Sequence, residues 1–594
     1  MWTLDFETEA IENNVSKFPP APVGLAVIAP DGDRDYLTDQ SQIRNALVSA
    51  WNQPKLFHNG KFDVSVAMVA YDLPFPPALT VNDTQYLIFL EDPHAPSLSL
   101  KPSAERILGQ APEEANALAD WIIRNVPEAK KSNWGAFIAR APVELVRPYA
   151  LGDVDRTKAL YDHLMPKIES KGMGGAYQRE QHLLPILHRA EVRGLRVDLP
   201  ALSLCIDQMD ADLRRIDALI HTKFGQTFNL DSPDELASAL DAAGMVTDWP
   251  LTPGGKRSVA KDALRGAMNN PEMLALLLYR SGLETCLNTF GIKWYNQAVR
   301  DGGRLHPNWN QVRQEGQGNS FKGTRTGRLS CDNPNLTNPP GELKALPPEG
   351  FNPIPQMRRF LLPEEEHIWV KRDFSSQEIR ILAHYEDGAL MRAYQENPQL
   401  DPHKMAGELI KTFAGLDLPR KDVKITAFST IYGAGVTGLA GQLGCDAAHA
   451  KLVREAYMEA IPGIRILSNA LRQRGRNGLP LRTWGGRLYL PEAPRLIKGV
   501  MRSFEYKLLN YLIQGSAADQ TKQTIIDWDQ MYGNDGLFLA ALHDEINLSI
   551  PAEDALNAMA HLQEVMNRAR FDVPMLSEGF VGPNFGDLDA VVAQ

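Results

Sequence analysis

The chain has 594 residues, 44% of them hydrophobic and 23% charged, with a formal net charge of -11, and this composition excludes the disordered, collagen-like and coiled-coil classes. A chain several times longer than a domain of roughly 100–200 residues is expected to form two to four domains. Four scattered cysteines without a CxxC pair exclude a disulfide framework and a zinc ribbon, and no apolar run approaches the roughly 18 residues of a membrane helix.

Short strands separated by Pro, Gly and Asp open the chain, at TLDFE, PVGLAVIA and RDYLTD. A helix at SQIRNALVSAW, a strand at KLFHN, an amphipathic run KFDVSVAMVAYDL and a helical segment from Pro142 to Met165 follow. This pattern predicts an α/β domain that ends in the Gly-rich stretch 166–176. Residues 1–165 hold 22 acidic and 14 basic side chains, so most of the negative charge belongs to this domain.

Five side chains of the first domain form a candidate cation site. Asp5 and Glu7 lie two apart on a strand and share a face, Asp63 follows the KLFHN strand, and Tyr149 and Asp153 lie four apart on a helix. An isolated acidic pair on a strand is usually a solvent-exposed alternation. Carboxylates that converge need cations, however, and ligation by oxygen alone indicates Mg²⁺ or Mn²⁺.

Three motifs carry a resemblance in this domain: LDFET, the Asn59-x-x-Phe62-Asp63 pattern and Tyr149-x-x-x-Asp153. Together they resemble the proofreading 3′–5′ exonuclease domain of DNA polymerases, in its DEDD form with a tyrosine. The resemblance implies an RNase H-like exonuclease domain at residues 1–170. It also implies that Tyr149 orients the attacking water and that four carboxylates hold two metal ions, namely Asp5, Glu7, Asp63 and Asp153.

The remainder of the chain is mostly helical from Tyr177 to about Trp294, and beyond Arg304 it alternates loops, strands such as HIWVKRD and FLAAL, and helices. The helices are expected near residues 377–384, 404–413, 419–431 and 499–526. Two tracts carry charge of one sign: 304–328 has five cations and one acid, and 461–491 has six arginines and no acid. Such tracts favour contact with phosphates, the alternative being a solvated helix face.

The segment LPRKDVKITAFSTIYGAG predicts a helix that carries two cations and two aromatic rings on one stripe. Arg420, Lys424, Phe428 and Tyr432 follow each other at intervals of four residues. Cations can bind phosphates and rings can stack on a base. Taken alone, an aromatic pair at this spacing is usually core and a cation pair usually lies on the surface.

Two further acidic positions end strands in this half of the chain. Asp373 ends HIWVKRD, and Asp544 and Glu545 lie between FLAAL and INLSI as in a hairpin. If these strands pair in one antiparallel sheet, Asp373 and Asp544 can bridge two divalent ions about 4 Å apart, the arrangement that serves phosphoryl transfer. The alternative, turn acids at hairpin tips, is common.

These three motifs, in this order, resemble motifs A, B and C of family A DNA polymerases of the polymerase I or Klenow type. TRTGRLSCDNPNLTNPP, GRLHPNWNQ, FNLDSPDEL, TWGGRLYLP and IQGSAAD extend the resemblance to nearly the whole chain. The implied fold is α/β and multidomain, with the exonuclease domain followed by a right-hand polymerase domain at 177–594. Its expected parts are a thumb at about 177–300, a palm at about 301–385 and 483–594, and fingers at about 386–482.

The resemblance also assigns roles to matching positions. Asp373 and Asp544 are expected to bind metal with support from Glu545, and Glu378 to exclude a ribose 2′-hydroxyl. Nucleotide contacts are expected at Arg420, Lys424, Phe428, Tyr432 and His543, with Lys424 also donating a proton. Contacts with DNA are expected at Arg325, Arg328, Asn335, Asn510 and Gln514, of which three face the minor groove.

The implied reaction is attack of the primer 3′-hydroxyl on the α-phosphate of a dNTP, assisted by two Mg²⁺ ions per site, with Mn²⁺ as a substitute. The expected partners are primer–template DNA and dNTPs, with no membrane and no replisome protein identifiable from the sequence, and a monomer is expected. Because the exonuclease motif starts at residue 5, no 5′-nuclease domain is expected, and this favours a replicative, phage-type enzyme. The expected location is the cytoplasm, which is the host cytoplasm if the enzyme is viral.

Three rival interpretations stay open at this point. A single-subunit RNA polymerase shares the palm and the cationic helix, but Glu378 and the proofreading motifs argue against it. A DNA-binding scaffold with dead sites would have lost at least one metal-binding acid, and none is lost. A stand-alone exonuclease with a degenerate polymerase half is disfavoured for the same reason.

Overall fold

The computed structural model describes residues 1–12, 18–252, 254–315, 321–340, 346–497, 499–533 and 537–591. The strands in these ranges are β1 (Trp2–Thr8), β2 (Pro22–Ile28), β3 (Arg34–Leu37), β4 (Lys55–Phe57), β5 (Val81–Asp83), β6 (Leu195–Val197), β7 (Arg304–Leu305), β8 (Asn308–Asn310), β9 (Gln314–Glu315), β10 (Phe321–Lys322), β11 (Ser330–Asp332), β12 (Leu361–Leu362), β13 (His367–Phe374), β14 (Leu481–Arg482), β15 (Leu488–Tyr489), β16 (Arg495–Ile497), β17 (Val500–Arg502), β18 (Leu537–Leu542), β19 (Glu545–Pro551), β20 (Ser577–Gly582) and β21 (Asp589–Val591).

The α-helices of the described ranges are α1 (Gln40–Ala50), α2 (Gly60–Tyr71), α3 (Thr84–Glu91), α4 (Leu100–Leu108), α5 (Glu113–Asn125), α6 (Val143–Ser170), α7 (Gly174–Arg193), α8 (Leu199–Phe224), α9 (Pro233–Ala242), α10 (Lys261–Ala267), α11 (Pro271–Glu284), α12 (Ile292–Arg300), α13 (Gln377–Glu386), α14 (Ala389–Glu396), α15 (Pro402–Ala414), α16 (Arg420–Ile431), α17 (Val436–Leu443), α18 (Ala447–Ala460), α19 (Pro462–Arg476), α20 (Leu508–Tyr532) and α21 (Ala555–Asn567). Within the described part of the chain, each helix is too short or too polar to cross a bilayer.

The N-terminal part is built on a five-stranded mixed sheet in the order β3-β2-β1-β4-β5. β1 pairs antiparallel with β2 and parallel with β4, and β4 pairs parallel with β5. Leu4 and Phe6 of β1 pack into an apolar core with α1 and α2. Asp5 and Glu7 alternate with them, so their side chains face the other side of the sheet, which α6 covers. The predicted α/β organisation of this part is confirmed.

Helix α7 packs on both halves of the chain. The Gly-rich stretch predicted as a boundary contains only the three-residue connection 171–173 between α6 and α7. Leu184 of α7 belongs to the core under the N-terminal sheet, whereas Leu183 and Leu187 belong to the large core of the second half. The domain boundary that the sequence places at 170–177 therefore runs beside a helix that both cores share.

A buried polar network joins the two halves through α7. Lys522 of α20 donates to Glu180 of α7 at 2.6 Å and to the carbonyl of Gln311 at 2.8 Å. The Gln311 amide donates to Glu180, and Tyr86 of α3 donates to Gln311 at 2.9 Å. Lys522 and Glu180 are almost completely buried, so each charge depends on the other for its stability.

The second half contains a five-stranded antiparallel sheet in the order β18-β19-β13-β20-β21. Apolar residues of its central strands, such as Trp369, Val370 and Leu548, are buried in the large core. Helices α8, α11 and α12 pack together in one part of this half, and α15 to α19 pack together in another. The predicted strands HIWVKRD and FLAAL are confirmed as β13 and part of β18.

One predicted helix starts later than expected. The sequence predicts a helix over 499–526, but residues 500–502 form strand β17, which pairs with β16, and α20 begins only at Leu508. Gly499 adopts a φ of +75° in the turn of this hairpin, a left-handed conformation that reverses the chain where a helix would need a negative φ.

Candidate active sites

Two acidic positions of the second half meet at the end of the central sheet. β13 and β19 pair antiparallel with Asp373 opposite Glu545. β18 and β19 pair with Leu542 opposite Glu545, so His543 and Asp544 form the hairpin turn between them. His543 has a φ of +58°, and the carbonyl of Asp544 accepts from the amide of Phe374 at 3.2 Å. The sheet pairing on which the sequence-based metal hypothesis depended is present.

The electrostatics of this turn favour a cation. Burial raises the pKa of Asp373 to about 7, and the neighbouring charges of Asp544 and Glu545 act in the same direction. Burial also raises the pKa of Asp544. The Oδ1 atom of Asp373 is buried without a hydrogen-bond partner among the described residues. A buried acceptor with no donor, next to a second carboxylate, fits a divalent cation with oxygen ligands.

Two charged neighbours of Asp373 were missed by the sequence analysis. Glu578 of β20 lies opposite Asp373 on the other side of β13, and its charge contributes to the raised pKa of Asp373. Lys371, two residues before Asp373, lies 3.0 Å from a carboxylate oxygen of Glu545. No motif in the sequence links Glu578 to this site, because only the register of β20 brings it there.

The predicted stripe of cations and rings lies on α16. Lys424 Nζ is 6.0 Å from the centre of the Phe428 ring, and the rings of Phe428 and Tyr432 are 5.8 Å apart. Arg420, at the first turn, forms an ion pair with Asp401 at 2.6 Å. Lys424 is exposed. One end of the helix therefore offers two cations to solvent, and the other end offers two aromatic rings.

Glu378 connects this helix to the central sheet. It lies in the first turn of α13, which follows β13, and it is buried. The hydroxyl of Tyr432 donates to a Glu378 carboxylate oxygen at 3.0 Å, and the Arg328 guanidinium donates to the other oxygen. Burial raises the pKa of Glu378, and the Arg328 charge opposes that rise.

Six of the predicted nucleotide- and DNA-contacting residues line one cleft of about 480 Å³. They are Arg325, Arg328, Tyr432, Asn510, Gln514 and His543. The Oδ1 atom of Asn510 is buried without a hydrogen-bond partner in the described part of the chain. Asn335 instead lines a neighbouring cleft of about 680 Å³ beside α12, together with Lys293 and Arg300, and Asn338 lines both clefts.

The two basic tracts divide into structural and exposed arginines. Arg487 is buried and pairs with Asp519 at 2.7 Å, Arg304 pairs with Glu364 at 2.6 Å, and Arg482 donates to backbone carbonyls of residues 171 and 172. The expectation of phosphate contact is therefore wrong for Arg487, because its charge is neutralised inside the fold. Residues 316–320 of the first tract lie outside the described residues.

In the N-terminal part, Asp5, Glu7 and Asp153 form one carboxylate cluster. Each offers an oxygen within 4.8 Å of the others, with Asp5 and Glu7 on β1 and Asp153 on α6. Burial and mutual repulsion raise the pKa of Asp5 well above its ordinary value and raise that of Glu7 to about 8. Tyr149 lies one turn before Asp153, and its pKa is raised by burial.

Asp63 is separate from this set of three. Its Oδ1 atom accepts from the backbone amide of Phe6 at 2.9 Å, and burial raises its pKa to about 8. The pairing of β1 with β4 ends at Thr3, so the Phe6 amide needs another acceptor and Asp63 provides it. The charge of Asp63 nevertheless raises the pKa of Asp5, which places it next to the cluster.

A lysine that the sequence analysis missed contacts the cluster. The Lys101 ammonium donates to Asp153 and lies 4.1 Å above the ring of Tyr149. Its charge lowers the pKa of Asp5, Glu7 and Asp153 against the effect of burial. Lys101 follows the SLSL segment at the start of α4, and no acidic or aromatic neighbour in the sequence indicates its place.

Comparison with known proteins identifies the family. The model of DNA polymerase family A matches residues 200–587. The chain belongs to DNA polymerase family A. The family A chain is 26% identical to the DNA polymerase DpoZ of Vibrio phage phiVC8 over 100% of its length and 96% of that relative, in agreement with the phage-type resemblance.

Bacterial relatives are longer. The chain is 25% identical to DNA polymerase I of Pseudomonas aeruginosa, and the match covers 98% of the chain and 63% of that relative. It is 28% identical to the thermostable DNA polymerase I of Thermus filiformis, with 72% of the chain and 50% of that relative covered. A solved structure with a similar fold is the POL domain of Pol1 from M. smegmatis in complex with DNA primer-template and dNTP. The match covers 98% of the family A chain and 95% of the solved chain, with a TM-score of 0.77 and 23% identity. The family A chain therefore shares the fold of that POL domain.

Proposed function

We propose that the chain is a DNA-directed DNA polymerase that extends a primer 3′ end with dNTPs. The observation that carries this proposal is the pairing of β13 with β19, which sets Asp373 beside the Asp544 turn. One Asp373 oxygen is buried there and receives no hydrogen bond from the residues that the structure describes. Membership of family A supports the same reaction. The domain limits proposed from the sequence, with a polymerase domain at 177–594, are retained.

Asp373 and Asp544 are the residues that would hold Mg²⁺, and Glu545 lies beside them. Two such ions, when bound, activate the primer hydroxyl and neutralise charge on the phosphates. Arg420 and Lys424 bind the triphosphate, since their end of α16 carries exposed cations. Lys424 also donates a proton to the departing pyrophosphate, which the primer hydroxyl displaces at the α-phosphate.

Phe428 and Tyr432 hold the base and sugar of the incoming nucleotide, while Glu378 excludes a 2′-hydroxyl. The bond from Tyr432 to Glu378 fixes the carboxylate at the base end of α16. The cleft that contains Arg328, Asn510 and Gln514 contacts the minor groove of the primer–template. The Asn510 oxygen, which no described residue engages, offers an acceptor there. Asn335 and the cleft beside α12 extend this DNA path.

A second activity, 3′–5′ exonuclease cleavage, is proposed for residues 1–170. The sheet order β3-β2-β1-β4-β5, with one antiparallel and one parallel side, supports the expected RNase H-like fold. Asp5, Glu7 and Asp153 would hold divalent cations with Asp63 beside them, because oxygen-only ligands at this spacing fit Mg²⁺ or Mn²⁺. Tyr149 positions the attacking water next to Asp153.

A labelled primer–template in Mg²⁺, incubated with dNTPs, with rNTPs or without nucleotide, tests both activities. Extension by dNTPs only, lost in Asp373→Ala and retained in Asp5→Ala, is the expected polymerase result. Shortening without nucleotide, lost in Asp5→Ala and retained in Asp373→Ala, is the expected exonuclease result. The exposed-acid variants Glu553→Ala and Glu144→Ala serve as controls for the two halves.

Other outcomes favour the rival functions. Extension by rNTPs alone would favour an RNA polymerase, and shortening alone would favour a nuclease with an inactive second half. DNA binding without either reaction would favour a scaffold.

A further inference from the structure

A small β-hairpin, formed by β16 and β17, projects from the second half of the chain. Arg495 pairs with Arg502, Leu496 with Met501, and Ile497 with Val500. All six residues are exposed, and Leu496 and Met501 expose 69% and 64% of their surface. Four adjacent apolar side chains in water are unusual on a monomer surface and indicate an interaction.

The two faces of this hairpin differ. Because side chains alternate along a strand, Leu496 and Met501 share one face, and Ile497 and Val500 share the other with the arginines behind them. Among the described residues of the hairpin, the aliphatic pairs therefore lie nearer the turn and the arginine pair lies at the base, while residue 498 in the turn lies outside the described residues. Cations that flank aliphatic side chains suit nucleic acid, where the cations contact phosphates and the aliphatic groups insert between bases.

The base of the hairpin contacts residues that line the 480 Å³ cleft. Arg495 donates to Glu492, and its guanidinium lies 5.1 Å from the ring centre of Phe504. Lys507 donates to Glu492 at 2.6 Å, and Glu492 and Lys507 both line the 480 Å³ cleft. The hairpin is thus held in place at its base.

Its position relative to α16 indicates which part of the DNA it meets. The cationic end of α16 is the proposed triphosphate end, and Tyr432 marks the base end. Gly433, directly after Tyr432, lies so close to Tyr506 that a Cβ at this glycine would be 2.7 Å from the Tyr506 ring. The segment that follows the hairpin therefore packs at the base end, where an unpaired template base has to enter.

We propose that this hairpin is a wedge that separates the strands of duplex DNA ahead of the growing primer. Leu496 and Met501 stack against the last base pair of the downstream duplex. On the opposite face, Ile497 and Val500 contact the strand that is displaced, and Arg502 contacts its phosphates. Aliphatic side chains of this kind are used by other proteins to unstack neighbouring base pairs. The proposal rests on the proposed polymerase function, which sets the direction in which the enzyme moves along the template.

The test compares primer extension on an open template with extension on the same template that carries a downstream complementary strand. Leu496→Asn/Met501→Asn and Ile497→Asn/Val500→Asn are the two hairpin variants. Leu204→Asn and Leu556→Asn, which alter leucines exposed by 72% and 68% on α8 and α21, are the matched controls. We expect both hairpin variants to slow the blocked reaction about tenfold relative to the open one, with no change in the controls.

A fluorescent adenine analogue at the first pair of the downstream duplex measures strand opening without catalysis. We expect its fluorescence to rise when the wild-type chain binds and to stay low with the hairpin variants. This measurement remains decisive if the chain fails to extend any primer, a result that would remove only the proposed reaction. The wedge is refuted if the hairpin variants open the duplex like the wild type, or if both templates slow equally, since the hairpin would then serve a protein partner or general DNA binding.

Discussion

Replacement of Glu378 by alanine should allow ribonucleotides into the polymerase site. The Glu378 carboxylate accepts from Tyr432 and from Arg328. If the sugar of the incoming nucleotide lies against Glu378 as proposed, a 2′-hydroxyl fits only when the carboxylate moves away and both bonds break. A hydrogen bond to a charged group contributes about 1.5 kcal/mol at the low end of its range, so both together contribute about 3 kcal/mol, or roughly a hundredfold in selectivity. Glu378→Ala removes this barrier.

The assay is single-nucleotide insertion with dCTP or CTP opposite a template dG, with kcat/KM as the measured quantity. We expect the dCTP-to-CTP ratio to fall about a hundredfold in Glu378→Ala and about tenfold in Glu378→Gln, which keeps the size and the Tyr432 bond but loses the charge facing Arg328. Glu396→Ala, at an exposed position on α14, is the control. If Glu378→Ala slows both nucleotides equally and leaves the ratio unchanged, Glu378 supports Tyr432 and does not sense the sugar.

Three further outcomes follow from the buried charges. Because the pKa of Asp373 is about 7, extension at subsaturating Mg²⁺ should accelerate between about pH 6 and pH 8 as the carboxylate ionises, and a flat profile in stopped-flow assays would contradict this. Burial and repulsion raise the pKa of Asp5 well above its ordinary value, so the folded state holds protons more tightly than the unfolded one and, without divalent ions, stability falls as the pH rises above about 4. Asp5→Asn should therefore raise the melting temperature at pH 8 in EDTA and reduce the stabilisation caused by Mg²⁺, and an unchanged melting temperature would refute this. Lys522→Met leaves the Glu180 charge without its cation and should cost about 3–5 kcal/mol of local stability. The double variant Lys522→Met/Glu180→Leu should recover most of this loss, and equal decreases in melting temperature for the single and double variants would argue against the pairing.

Elements whose apolar spacing is regular were predicted well. Strands β1 to β4 and helices α1 and α2 lie where the pattern of Pro, Gly and Asp places them, because each has one apolar face and a clear stop. The helix expected over 499–526 failed at its start, since residues 500–502 are apolar and basic without a helical or strand periodicity. There the turn at Gly499 decided the structure, and a single glycine does not distinguish a hairpin turn from a helix start.

Site residues were predictable where the chemistry follows from short local spacing. Asp5 and Glu7 share a strand face, Tyr149 and Asp153 share a helix face, and Asp544 lies in a recognisable hairpin. The structure brings these groups to the places that such spacing requires. Neighbours supplied by another element gave no such signal.

The difference between the two acidic sites depends on such unpredicted neighbours. At the central sheet, Asp373 has a buried oxygen to which no described residue donates, and Lys371 pairs with Glu545, so Asp373 can accept a cation. In the N-terminal cluster, Lys101 already contacts Asp153, and one oxygen of Asp63 is committed to the Phe6 amide. A cation that binds there must share Asp153 with an ammonium group, whereas at the central sheet the Lys371 ammonium lies against Glu545 and only its charge acts on Asp373. We therefore expect the two proposed cation sites to differ in affinity, because α4 places a lysine beside one of them and β20 places a glutamate beside the other.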